Sequence, residues 1–192
     1  MPRDDLYSLP PDLPVPVDDG AAAHLAGMDL PAISLPSTRG RLVRLNQLGP
    51  GWAVLYCYPR TGHPAEHAPP VWDSIPGARG CTPQALSYRT HYDELRELGA
   101  QVFGISTQTT DYQSEMAERL HLQFEVLSDA EFKLTDALRL PTFDGGGQRL
   151  IRRLTLLVMN GRIEECFYPV FPSDADAGRT LSWLREHTGR AV

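Results

Sequence analysis

The chain has 192 residues, 42% of them hydrophobic and 22% charged, with a formal net charge of −6. That length suits one domain with a flexible edge and lets roughly 70% of the unfolded surface be buried without crosslinks. The acidic balance excludes a nucleic-acid binder, whose affinity rests on clustered cations, and no run approaches the ~18 apolar residues of a membrane span.

Residues 1–20 are rich in Pro and Asp and show no periodicity, which predicts a flexible arm ahead of a folded unit over 21–192. No apolar run follows Arg3, so no secretory signal is expected and a cytoplasmic location is. Residues 24–45 read as short strands joined by a turn at Thr38-Arg39-Gly40. The continuous apolar run 52–59, WAVLYCYP, suits a central strand buried on both faces. Residues 60–80 hold Pro64, Pro69, Pro70 and Pro76 with several glycines, and form a long loop of the kind that often carries function.

From Thr82 to about Leu98, the spacing of Leu86, Tyr88, Tyr92 and Leu95 predicts a helix that stops at Gly99. A buried strand follows over 101–107, then an amphipathic helix capped by Thr109 or Thr110. FEVLSD is a strand and AEFKLTDALRL a helix that stops before Pro141. Leu154–Met159 and Ile163–Tyr168 flank Asn160-Gly161, a strong hairpin signal, and residues 174–187 form a last helix. Strands alternating with helices, then a hairpin and a helix, predict an α/β fold with a mixed central sheet flanked by helices.

Three cysteines, Cys57, Cys81 and Cys166, make an odd set without C-x-x-C, which is not the framework of a stapled secreted domain. Cys81 stands where the loop ends and the helix begins, in PGARGCTPQ. A sulfur there faces unpaired backbone N–H groups and the positive end of the helix dipole, which favour the thiolate that attacks. Pro83 is tolerated in the first turn because its missing N–H has no partner there. Arg79 precedes the sulfur by two residues, and Arg89 lies two turns on, on roughly the same helical face. The alternative for any cysteine is burial as a small hydrophobe, and that reading suits Cys57 and Cys166 in their strands. Either of these two is also open as a thiol that closes a disulfide with oxidised Cys81. His63 and His67 in the loop, with Cys57 and Cys81, form a weak metal-site alternative that the surrounding prolines disfavour. No cofactor or metal is called for.

The order WAVLYCYP, GCTPQALSYR, VFGIST, LSD and RRLTLLVMNGRI, from about residue 24 to the last helix, resembles the peroxiredoxins, and within them is most similar to the bacterioferritin-comigratory or Q-type branch. The resemblance implies a thioredoxin-like fold and reduction of hydrogen peroxide or organic hydroperoxides through a Cys81 sulfenic acid. It implies that Cys81 is the peroxidatic cysteine and that Arg153 pairs with the thiolate and peroxide. The adjacent Arg152 competes for that role, and strand alternation puts only one of the two inward. Pro59 matches the proline that opens the active-site loop. Two departures stand out. Pro59 and Cys81 are 22 positions apart where the family pattern has seven, so about fifteen residues are inserted, and Ala78 holds the place of the family threonine. Thr61, on the near side of the insertion, is the candidate to supply that hydroxyl. Leu86 occupies the usual place of a resolving cysteine, so the expected cycle uses one cysteine and is reset by a thioredoxin-like protein or a small thiol. A monomer or weak homodimer is expected. The rival reading is a non-catalytic thiol redox sensor or interaction module of the same fold. The insertion, anchored by Trp72 and Ile75, is expected either to pack over the sheet edge or to wall the substrate entrance.

Overall fold

The computed structural model describes residues 6–66, 68–69 and 71–188. In chain order, β1 (Ser34–Pro36) and β2 (Leu42–Arg44) form a hairpin, and β3 (Trp52–Cys57) is buried along its whole length. After the insertion come α1 (Cys81–Thr90), α2 (Tyr92–Glu97), β4 (Gln101–Ser106), α3 (Thr110–Arg119), β5 (Glu125–Ser128) and α4 (Lys133–Leu138). A second hairpin, β6 (Thr142–Asp144) with β7 (Arg149–Ile151), precedes β8 (Leu154–Met159), β9 (Arg162–Phe167) and α5 (Asp176–His187).

The central sheet has the order β5-β4-β3-β8-β9. β3 runs parallel to β4 and antiparallel to β8, so the sheet is mixed as expected. The period of two along β3 divides the core. Ala53, Leu55 and Cys57 face one way, packing with Leu35, Val43, Leu134 and Leu138, so the β1–β2 hairpin and α4 cover that face. Val54, Tyr56 and Tyr58 face the other way with Ala85, Tyr88, Met116, Leu181 and Leu184, so α1, α3 and α5 cover it. Asn160 (φ 50°) and Gly161 (φ 82°) both lie in the left-handed region, as the tight turn between β8 and β9 requires.

Two local expectations change. The helix predicted from Thr82 to Leu98 is interrupted at His91, just after Thr90 turns its Oγ1 back onto the Leu86 carbonyl at 3.0 Å, a bond that bends helices. The helix predicted from Ala130 begins only at Lys133, because the Asp129 carboxylate accepts the N–H groups of Leu134 and Thr135 at 2.9 and 2.8 Å and Phe132 takes a left-handed backbone. The β6–β7 hairpin adds two short strands that no sequence expectation covers, although Asp144-Gly145 is itself a turn signal. Against this hairpin the insertion builds a small core of its own, where Trp72 is buried beside Ala78 and Leu150, with Phe143 and Ile75 partly covered. No helix among the described residues is long and apolar enough to cross a membrane.

Candidate active site

Cys81 is the first residue of α1 and is buried, with 4% of its surface exposed. The residue before it, Gly80, has φ +105°, and a Cβ there would sit 2.7 Å from Leu9 Cδ2, so only glycine lets the loop turn into the helix at this point. Arg153, between β7 and β8, is also buried and places Nη2 at 3.1 Å from Cys81 Sγ. The same nitrogen donates to the carbonyls of Gly77, Ala78 and Arg79 at 3.3, 3.1 and 3.2 Å, and Nη1 donates to Gln84 Oε1 at 2.5 Å. The end of the insertion therefore wraps its backbone around the guanidinium. A buried cation needs a counter-charge. Among these direct partners the carbonyls and the amide are neutral, and the sulfur is the one ionisable group. Arg153 and the N-terminus of α1 both place positive potential at the Cys81 sulfur.

Behind this pair is a second layer. Gln84 Nε2 donates to Asp176 Oδ2 at 2.8 Å, and the same oxygen accepts the hydroxyls of Tyr88 (2.9 Å) and Thr155 (2.7 Å). Burial pushes the Asp176 carboxyl above its ordinary range, and the three donors and the Arg153 charge pull against that without cancelling it. A guanidinium has only donors, so Gln84 must turn its oxygen towards Arg153, which leaves its amide nitrogen for Asp176. Neither Gln84 nor Asp176 was singled out in the sequence, yet both left a trace. Gln84 lies one helical turn after Cys81, and Asp176 heads the buried stripe Ala177, Thr180, Leu181 and Leu184 of α5.

Cys81 opens onto a cavity of about 300 Å³, lined on the insertion side by Arg60, His63, Pro69 and Trp72 and on the arm side by Leu6. Arg79 lines it too and pairs with Asp73 at 3.0 Å. Of the residues marked in the sequence, the structure brings Cys81, Arg153 and Arg79 together. Arg152 is instead stacked over Phe143. Arg89 points to the far end of α3, donating to the Leu120 carbonyl at 2.8 Å. Pro59 is buried just after β3 and lies outside the cavity lining. Thr61 is buried, donates its hydroxyl to Gln108 Oε1 at 3.2 Å, and is likewise outside the lining. His63 Nε2 lies 3.7 Å from Glu115 Oε1, and His67 is outside the described residues.

The other two cysteines are free and pack on the opposite face of the sheet from Cys81. Burial raises the Cys57 thiol far above its ordinary range, with the neighbouring Cys166 adding to it. Cys166 is pushed up to about 12, first by burial and then by the adjacent Glu165 charge. Neither is a ready nucleophile.

A family model described as redoxin matches residues 25–181. Peroxiredoxin Bcp of Escherichia coli (strain K12) is 30% identical over 171 residues, which cover 84% of this chain and 96% of that protein. The chain belongs to the peroxiredoxin family. The chloroplastic peroxiredoxin Q of Sedum lineare is 27% identical, with 91% of this chain and 86% of that peroxiredoxin covered. Among solved structures, peroxidoxin BcpB of Mycobacterium tuberculosis superposes with a TM-score of 0.67 at 26% identity, covering 84% of this chain and 96% of the other. The thioredoxin-like fold and the bacterioferritin-comigratory or Q-type affinity expected from the motifs are thereby established, and the molecule is a peroxiredoxin, a thiol peroxidase.

Proposed function

We propose that this peroxiredoxin works through Cys81 in a one-cysteine cycle. The Cys81 thiolate attacks the terminal oxygen of hydrogen peroxide or an organic hydroperoxide, and the O–O bond breaks with its electron pair leaving on the departing oxygen. Protonation of that oxygen releases water or an alcohol, and Cys81 is left as a sulfenic acid. Arg153 faces the sulfur at the N-terminus of α1, where negative charge is held and transferred. An external thiol then attacks the sulfenic sulfur, expelling water and forming a mixed disulfide, and a second thiol frees Cys81. The single observation that carries this reading is the 3.1 Å approach of Arg153 Nη2 to a buried Cys81 Sγ at a helix start. The one-cysteine cycle is supported by Leu86 at the position of the usual partner and by Cys57 and Cys166 packing across the sheet. Free cysteines throughout suit a reducing compartment such as the cytoplasm.

The role given to Thr61 in this reading is to hold Gln108 and the start of the insertion, not to reach the peroxide. Cys81→Ser is expected to abolish peroxide consumption. Wild-type protein given one equivalent of peroxide is expected to yield a trappable sulfenic acid on Cys81 by mass spectrometry. Rapid peroxide turnover in Cys81→Ser would overturn the assignment. Oxidation of Cys81 without turnover under excess thiol would instead identify a redox sensor.

A further inference from the structure

The arm ahead of the folded unit is built into the active site. Leu6 lines the cavity at Cys81, and a Cβ on Gly62 of the insertion would lie 2.7 Å from its Cδ2. Leu9 packs against Gly80, the residue that turns the chain into α1. Arg119 of α3 joins arm and insertion. Its Nη1 donates to Tyr7 Oη and its Nη2 to the Gly62 carbonyl, both at 3.2 Å, while Glu115 holds its Nε at 2.7 Å. Further along, Pro16 and Val17 line a small cleft with Arg153 and Gly77, and Asp19 accepts the Tyr168 hydroxyl at 2.8 Å.

These contacts bear on the reducing step. A resolving thiol must bring its sulfur to bonding distance, about 2 Å in the product. Cys81 is 4% exposed at the floor of a cavity of about 300 Å³, whose size is that of a small-molecule site. A thiol on the surface of a folded domain of even ~100 residues, with a radius of gyration of ~13 Å, cannot enter it while the arm is in place. A thiol the size of free cysteine or a short cysteinyl peptide can. Resting on the peroxidase reading above, we propose that the arm over residues 6–17 is a wall of the active site that selects a low-molecular-weight thiol as the direct reductant of the Cys81 sulfenic acid and keeps protein thiols out. The small thiol attacks the sulfenic sulfur, water leaves, and a second molecule of the same thiol takes the first away as a disulfide and restores Cys81.

The test oxidises the full chain with one equivalent of peroxide and measures reduction of the sulfenic acid by free cysteine and by a reduced thioredoxin, as a ratio of rate constants. Two variants are compared with it, one lacking residues 1–17 and a full-length Arg119→Gln that cuts the tie between arm and insertion. In the full chain free cysteine is expected to react faster, and in either variant the thioredoxin-to-cysteine ratio is expected to rise by roughly tenfold. A full chain reduced by thioredoxin faster than by cysteine overturns the proposal, as does a ratio unchanged in a variant that forms the sulfenic acid normally. Failure of the full chain to form any sulfenic acid would overturn the peroxidase reading and the proposal together.

Discussion

Among single residues, the proposed chemistry draws on one guanidinium with several contacts. Arg153 touches the sulfur, three carbonyls of the loop and the Gln84 oxygen, so in the proposed cycle it stabilises charge while its contacts shape the turn into α1. Arg153→Ala is expected to slow oxidation of Cys81 by roughly 10²-fold, the cost of removing one preorganised donor, measured by stopped-flow with peroxide in excess. Asp176 acts one step further back. Asp176→Asn keeps the shape but offers an N–H₂ group, which lets Gln84 reverse and point its own nitrogen at Arg153. Oxidation is expected to slow by about tenfold. A merely structural role would not couple that loss to the stability profile that should accompany it. The folded carboxyl has a raised pKa, so the native state binds its proton more tightly than the unfolded chain does. The resulting cost is absent well below the unfolded value of about 3.9 and grows as pH rises through the folded pKa. Denaturation as a function of pH should therefore show Asp176→Asn gaining on wild type as pH rises.

At the scale of elements, α1 is set by what lies beneath it. Tyr88 stacks on Tyr56 of β3 with ring centroids 4.4 Å apart, which fixes the helix over the sheet while Gly80 fixes its first residue. On the far side of the sheet the β1–β2 hairpin is tied to β5 through Glu125. Burial works against ionisation of Glu125, but hydrogen bonds from Arg41 (2.5 Å) and Ser37 outweigh it, and its pKa is lowered. This stabilisation is fully present above the unfolded value of about 4.3 and is lost as pH falls through the folded pKa. Glu125→Gln is expected to be less stable than wild type near neutrality and to close the gap on acidification, the opposite slope to Asp176→Asn. Thermal melts across pH 3–7, a range of about four units around the carboxylate pKa values, check this.

At the scale of the whole molecule, the sheet separates the thiols. Cys81 belongs to the core under α1 and α5, and Cys57 and Cys166 belong to the core under α4 and the first hairpin. A disulfide from Cys81 to either would have to pass through β3 or β8. The double variant Cys57→Ala, Cys166→Ala is accordingly expected to keep its sulfenic acid and its turnover with an added thiol. It should be less stable, since emptying the fully buried Cys57 site leaves a small cavity of order 1 kcal/mol. Peroxide assays beside non-reducing gels would show it.

Local rules carry part of this molecule directly in the order of its residues. The buried run of β3, the Asn160-Gly161 turn, and a cysteine at the junction of a Gly-rich loop and a helix are each decided within a few residues, so they were legible without the fold. The motif order added Arg153, 72 positions from Cys81. How distant segments meet at the sulfur is instead a matter of long-range packing. Gln84 is a partner of Arg153 only because α5 brings Asp176 behind it, and the Pro-rich arm lines the active site only because the insertion and Arg119 receive Leu6 and Tyr7. Those contacts are made between groups far apart in sequence, whose periodicity and spacing carry no record of one another. The nucleophile was therefore written in its neighbourhood, while its support and its access were settled by packing.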